Sequence, residues 1–320
     1  MVLKANGKDI TSIVGNCTLD SNLDTLGDQF NFEIAYSDMP YYPKIEVNVG
    51  DLIQLFSENK EVFRGRVIEK NRSEKNQSFT CFDYAFYLNK SKVIRQFNGM
   101  RADAAIKLLL TDLKAEVGTI APMSVIIKKI YYDNEVSAIV KDIMEQDTSA
   151  TGIKYVMEMN NGKLDIKKDT DLIINLKVKI ADNVPLVDIS KTISNPSKKA
   201  SIEEMKNSII LYTGGEDGVK VIATKKDDAF IKKYGLLQET QSVEDKDIAQ
   251  ANNIAQNLLK ELGKVMVDGS IEVLGHFDLR AGRILQLNEP ITNLVGKYKI
   301  KSVSHSIGTI HTASLELEAV

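Results

Sequence analysis

A six-residue phrase occurs near both ends of the chain and limits what it can fold into. Gly50-Asp51-Leu52-Ile53-Gln54-Leu55 returns as Gly282-Arg283-Ile284-Leu285-Gln286-Leu287. A second glycine follows each copy at nearly the same distance, Gly65 in the first and Gly296 in the second. Alternating sequence comes next, Gln77 to Phe82 in one copy and Thr312 to Leu317 in the other. A turn glycine, a short apolar strand, a glycine-marked strand and a return strand describe a small antiparallel module. Its recurrence reads as a duplicated scaffold. Gly50, Gly65, Gly282 and Gly296 are therefore candidate structural positions that set turns and tight strand contacts, with no chemistry assigned to them.

At 320 residues the chain is too long for one ordinary core and implies two or three domains. Its 43% hydrophobic and 27% charged residues fit a globular protein. No stretch reaches the roughly 18 consecutive apolar residues of a membrane span. The first residues, Met1 to Gly7, lack the apolar core of a signal peptide, so no Sec export and no membrane insertion are expected. Forty-one basic against 44 acidic side chains give a net charge of -3, which argues against nucleic-acid specificity. Cys17 and Cys81, the only cysteines, suggest reduced core residues and no disulfide framework. The chain has no Trp and only 7% aromatics, which weighs against a sugar-stacking surface.

The expected class is α+β, mainly β: two small β-barrel domains of similar design flanking an α+β middle lobe. The first barrel covers residues 1–95, the middle lobe 96–189 and the second barrel 190–320. In the first, Tyr41-Tyr42-Pro43 interrupts any strand, and a hairpin turns at Ser57 to Lys60. In the middle lobe, Ala102 to Leu113 has a helical period. Val136, Ile139, Val140, Ile143 and Met144 mark a second helix. Asn160-Asn161-Gly162 is a hairpin turn. Ser201-Ile202-Glu203-Glu204 matches a capping box that would open a short helix. Ser242 to Asp245 would cap the longest helix, at about 245–262, with Gly263 as its stop.

The search for chemistry returns structural readings. His305 and His311 can face each other across the turn at Ile307 to Thr309, with no nearby Cys, Asp or Glu to complete a metal set. No Gly-x-Ser-x-Gly elbow supports a hydrolytic triad. Gly214 to Gly218 lacks the lysine and helix of a phosphate loop. Asp227-Asp228 and Glu244-Asp245 are adjacent acids at loops and helix starts, where acids are solvated or favour the helix N-terminus. No catalytic, cofactor or metal residue is assigned.

Three longer runs carry a resemblance. They are Phe82 to Ser91 with Phe97 to Ala105; Tyr234 to Glu239 leading into the helix that ends at Gly263; and Leu274 to Gly282 with Gly296 to Ile300 and His305. Together, in this order, they resemble the PBSX-type prophage tail proteins, a family similar to the central baseplate hub of contractile phage tails and phage-tail-like bacteriocins. The resemblance implies a non-enzymatic homotrimer with two barrels per subunit. The resulting pseudo-sixfold ring would adapt a hexameric tail tube to a trimeric spike. It implies as partners the tail tube or a tube-initiator protein, the spike, other baseplate proteins and the tape-measure protein. It also implies assembly in the bacterial cytoplasm and release by lysis. Some relatives carry fused lysozyme or peptidase domains, and this chain is expected to have no room for one. The competing classes are a tail-tip cell-wall hydrolase and a glycan- or receptor-binding tail module.

Overall fold

Alternation of apolar and polar residues builds most of the molecule. In Gln29–Ala35, Phe30, Phe32 and Ile34 are buried while Asn31 and Glu33 face outward. Phe32 stacks on Phe79 of a neighbouring strand at 4.8 Å between ring centroids. The computed structural model describes residues 1–35, 39, 45–178, 185–215 and 218–320. Tyr41-Tyr42-Pro43 and the centre of the Gly214 to Gly218 turn lie outside the described residues. Among those described, no helix is long and apolar enough to cross a membrane.

The fold is α+β and mainly β, and its strands repeat. The first repeat consists of β1 (Val14–Asn22), β2 (Gln29–Ala35), β3 (Leu52–Ser57), β4 (Lys60–Arg72) and β5 (Asn76–Asp83). The second consists of β6 (Ser194–Ser201), β7 (Met266–Leu274), β8 (Ile284–Glu289), β9 (Leu294–Ile307) and β10 (His311–Ala319). Both are antiparallel throughout and share one spatial order, β1-β2-β5-β4-β3 and β6-β7-β10-β9-β8.

The repeated phrase is the same turn in both copies. Gly50 and Gly282 adopt φ of +90° and +87°, a region that favours glycine. The Gly50 N–H donates to Val67 O at 2.8 Å, and Val67 N–H donates back to Asp51 O at 3.0 Å. In the second copy Gly282 N–H donates to Ile300 O, and Ile300 N–H donates to Arg283 O, both at 2.8 Å. Register shifts follow at matching places, between Val67 and Glu69 on β4 and between Ile300 and Ser302 on β9. A bulge of this kind bends and twists a strand, so both copies curve at the same point.

The second glycines are not equivalent. Gly65 lies opposite Ile53, whereas Gly296 lies opposite Leu287; the residue that corresponds to Gly65 is Tyr298. Aromatic and glycine have exchanged places, Phe63-x-Gly65 against Gly296-x-Tyr298. A Cβ on Gly65 would lie 2.6 Å from the Phe63 ring and 2.3 Å from Phe82 O, so this face of β4 holds one large ring. Nothing lies within 4 Å of a Cβ on Gly296.

The separate barrels expected at the two ends are joined here. Among the described residues no pairing closes either repeat on itself, and thirteen strands form one sheet. The seam is β9 against β1, from Ser302 opposite Asn22 to Ile307 opposite Cys17. Ile307 thus enters the first repeat's core, among Cys17, Phe32 and Phe79. Leu285, Leu287, Tyr298, Ile300 and Leu315 belong to the second repeat's core.

Two segments interrupt this scaffold. Between the repeats, α1 (Ala102–Asp112) and α2 (Val136–Thr151) pack with the hairpin of Tyr155–Asn160 and Lys163–Lys168. Ala85 and Leu88 already belong to that core, and the strand Lys92–Arg101 runs through residue 95. Between β6 and β7, Ser208–Gly215, Gly218–Lys226 and Gln238–Ser242 form a separate sheet under α3 (Ala251–Leu262). The insertion is therefore larger than the helix expected there. That helix starts late, because Asp245–Gln250 is a 3-10 segment, and α2 is the longer of the two, at 16 residues against 12. No helix opens at Ser201: it is still paired with Met266, and its Oγ accepts from Glu203 N–H at 3.1 Å in a local turn.

The two turn glycines differ in their surroundings. A Cβ on Gly50 meets nothing within 4 Å, whereas one on Gly282 would lie 2.5 Å from Val156 Cγ1. Gly50→Ala is expected to cost about 1–2 kcal/mol from backbone conformation alone. Gly282→Ala should add a packing penalty of about 1–3 kcal/mol. Equal urea-unfolding losses for the two variants would refute this difference.

Candidate functional site

The part of the molecule where most elements converge is a polar junction between both repeats and the middle lobe. The first repeat contributes Asp28, just before β2, and Asp83, the last residue of β5, which the pairing of Gln29 with Phe82 brings together. Asp83 Oδ2 accepts from Asp28 N–H at 2.9 Å, and its Oδ1 accepts from Ala85 N–H at 2.9 Å. The second repeat contributes Arg280 and Arg283 from the turn before β8, where Arg283 N–H donates to Arg280 O. The middle-lobe hairpin contributes Glu158, Asp165 and Lys167.

Ion pairs connect these groups. Arg280 Nη2 donates to Asp28 Oδ2 at 2.6 Å and to Met159 O at 2.9 Å, so one guanidinium holds both the first repeat and the middle lobe. Arg283 Nη2 lies 2.7 Å from Glu158 Oε2, and Lys167 Nζ donates to Glu158 Oε1 at 2.8 Å. Lys167 also lies 3.4 Å from Asp165. All of these groups except Asp165 border a cavity of about 230 Å³ that also reaches Arg64, Asn161 and Phe277. The Arg280 side chain is 18% exposed and Asp28 10%, which places the pair in a weakly solvated site.

The charges bias one another. Burial raises the Asp83 carboxyl well above the usual carboxylate range, and the nearby Asp28 charge adds to the rise. Burial acts upward on Glu158 too, but Arg280, Arg283 and Lys167 outweigh it and hold the group ionised below its ordinary value. For Arg280, burial disfavours the charge, and Asp28, Glu158 and Asp83 more than compensate. Asp28 and Glu158 are paired with the cations around them, whereas Asp83 is held by backbone N–H groups.

Two of the four glycines singled out in the sequence belong to this junction. Gly282 lies between Arg280 and Arg283 and meets Val156 of the hairpin. Gly65 sits opposite Asp83 on neighbouring strands. Gly50 and Gly296 lie apart from it. The charged residues themselves were not singled out, yet Asp83 and Arg280 fall inside runs that carry the resemblance, and Arg283 inside the repeated phrase.

A second polar pair is close by. His305 Nε2 lies 2.9 Å from Leu279 O, and its Nδ1 lies 3.0 Å from His311 Nε2. A carbonyl only accepts, so His305 Nε2 carries its proton, and His305 Nδ1 accepts from His311 Nε2–H. Phe277 covers both rings. Burial depresses both pKa values to about 4, with the neighbouring histidine adding to the effect on His311.

With this geometry in hand, the chain can be placed among known proteins. The model of the YQBQ-like family matches residues 17–318. The chain belongs to the YQBQ-like family. It is 25% identical over 286 residues to the phage-like element PBSX protein XkdQ of Bacillus subtilis (strain 168), covering 88% of this chain and 84% of that one. Its fold is similar to that of the prophage MuSo2 43 kDa tail protein from Shewanella oneidensis. That match has a TM-score of 0.71 at 14% identity and covers 99% of this chain and 97% of the other. The E. coli c3393 protein, a component of the type VI secretion system described as similar to T4 tail proteins gp27 and gp5, matches with a TM-score of 0.57 at 11% identity. Coverage is 99% of this chain and 76% of that one. The resemblance to PBSX-type tail proteins thus holds at the level of family, and the tail-protein fold at the level of structure.

Two tests follow for members of this family with such a junction. Removing one partner of a buried ion pair leaves the other uncompensated, so Arg280→Met is expected to cost about 3 kcal/mol in urea unfolding. A loss within about 0.5 kcal/mol, the range of ordinary surface substitutions, would show the junction to be unimportant for stability. For His305 and His311 the folded pKa lies below the ordinary value of about 6.5, so their stabilising contribution is present above about pH 6.5. It is lost as pH falls towards 4. Asp83 has the opposite sign, its contribution being lost as pH rises through its raised value. His311→Phe should therefore flatten the decline in stability between about pH 6.5 and 4, an expectation that an unchanged slope in chemical-denaturation curves would overturn.

Proposed function

We propose that this protein is a structural baseplate hub of a contractile tail or tail-like bacteriocin. Three subunits form a pseudo-sixfold ring that adapts a hexameric tube to a trimeric spike. The observation that carries this reading is the repeat itself: the same five-strand order, the same Gly50 and Gly282 hydrogen bonds, and bulges at matching positions. A subunit that presents two related barrel-like modules turns threefold assembly into six similar positions. Family membership with a PBSX protein and the tail-protein fold support the setting.

The junction supports a non-enzymatic role, because Asp28 and Glu158 are engaged by Arg280, Arg283 and Lys167. Its task is to fix the two repeats and the middle lobe at one relative angle. Tube, tube-initiator, spike, other baseplate proteins and tape measure are the neighbours this reading assigns, with assembly in the cytoplasm and release by lysis. An obligate ring of this kind should bury roughly 2,000 Å² or more per interface.

Light scattering on the purified chain, alone and with tube and spike proteins, is expected to give a mass three times that of the subunit. Particle images should show three copies on the tail axis. A mass of one subunit under every condition, or an off-axis position, would remove the hub reading. Release of muropeptides from peptidoglycan by the purified chain would favour a tail-tip hydrolase instead.

A further inference from the structure

Among the described residues, the seam between the two repeats has a counterpart that is left without a strand partner. Along one edge β9 carries two strands in succession, β8 beside Leu294 to Lys299, then β1 beside Ser302 to Ile307. The equivalent edge of β4 carries β3 only as far as Arg66. Beyond the matched bulge, among the described residues, Glu69 to Asn71 make ladder pairs with β5 alone, while the Lys70 side chain donates to Val47 O at 2.7 Å. At the other end of the sheet β6, the equivalent of β1, pairs only with β7 among the described residues, and most of its length is exposed. Its counterpart β1 is held on both sides.

We propose that Glu69 to Asn71 of one subunit pair antiparallel with Lys199 to Ser201 of a second copy of this chain, repeating between subunits the seam made within one. The proposal rests on the hub reading for the size of the ring, and on the repeat alone for the pairing. The repeat also fixes the register. Val67 and Ile300 make the same turn contacts, so Glu69 corresponds to Ser302 and Asn71 to Ser304. The pairings of β1 with β2 and of β6 with β7 equate Asn22 with Ser201 and Asp20 with Lys199. Within the chain Ser302 faces Asn22 and Ser304 faces Asp20. Between chains Glu69 therefore faces Ser201, Lys70 faces Ala200 and Asn71 faces Lys199.

The chemistry of the two edges suits this match. Glu69 shares a strand face with Asn71, diagonal to Lys199 of the other copy, so opposite charges meet across the seam. Pro196, Lys198 and Lys199 on β6 are the residue types that protect an open edge from indiscriminate pairing. An acid on the correct partner converts that protection into selection. Each subunit has one edge of each kind, and such head-to-tail contacts close into a ring when the rotation permits.

Disulfide trapping tests the register. Directly opposed residues in an antiparallel pair have Cα atoms roughly 4.5–5.5 Å apart, within disulfide reach, and the native Cys17 and Cys81 are both buried. The double variant Asn71→Cys with Lys199→Cys should form intersubunit disulfides on mild oxidation, giving linked dimers and trimers on a non-reducing gel. Lys70→Cys with Lys199→Cys, on opposite faces, should stay at background. As a second measurement, Glu69→Lys should weaken association about two- to five-fold, and adding Lys199→Glu should restore it. Oligomers by light scattering with no trapped disulfide and no effect of Glu69→Lys would overturn this pairing and leave the hub reading standing. A chain that stays monomeric at every concentration, with no trapped disulfide, would overturn both.

Discussion

The Arg280 guanidinium, shared between Asp28 of the first repeat and Met159 O of the middle lobe, ties together parts of the chain that the β9–β1 seam alone does not reach. The β9–β1 ladder sets the relation between the two repeats, and the middle lobe, with a core of its own, is tied to both by the charged junction. The junction is directional, because a carboxylate and a carbonyl must both lie within reach of one planar guanidinium. Arg283 and Lys167 extend the constraint by meeting Glu158 from two sides. Such a cluster contributes little net stability once desolvation is counted, but its disruption is costly.

The two repeats preserve backbone features more closely than side chains. Turn hydrogen bonds and bulges coincide, while Phe63 and Gly65 are replaced by Gly296 and Tyr298 in the reverse arrangement. The strand accommodates one large ring on that stretch, and either position can supply it. Backbone curvature has no such alternative, since a shifted bulge would move every following residue to the other face. The insertion between β6 and β7, with its own sheet and core, leaves the order of the second repeat unchanged.

Local patterns in the sequence translated well into structure. The Gly50 and Gly282 turns, the hairpins at Ser57–Lys60 and Asn160–Lys163, and the helices beginning at Ala102 and Val136 all follow from features a few residues long. The facing of His305 and His311 followed from a hairpin that places them on neighbouring strands. What escaped was long-range. Asp28, Asp83, Glu158 and Arg280 are scattered over some 250 positions, and no periodicity links them. The Ser201 capping box failed for a related reason, since pairing with Met266 across the sheet overrode a local helix signal. Gly65 and Gly296 had similar spacing but different strand register, which only the hydrogen-bond ladder fixes.

A sheet built from two repeats in tandem has an unavoidable remainder. One internal seam uses the β9 edge of the second repeat and the β1 edge of the first, and among the described residues the β4 edge and the β6 edge have no such counterpart. These leftovers are complementary by descent, because each resembles a strand that already pairs with a relative of the other. Duplication thus produces self-association as a by-product, and selection has to control it, either by blocking both edges or by making their meeting specific. In the pairing proposed above, lysine and proline on β6 would restrain casual contacts, and Glu69 on β4 would supply the charge that selects the correct one. On that proposal the seam that joins the halves of one subunit is also the pattern by which subunits would join, and the geometry set within the subunit by the β9–β1 ladder and Arg280 would govern whether a ring closes.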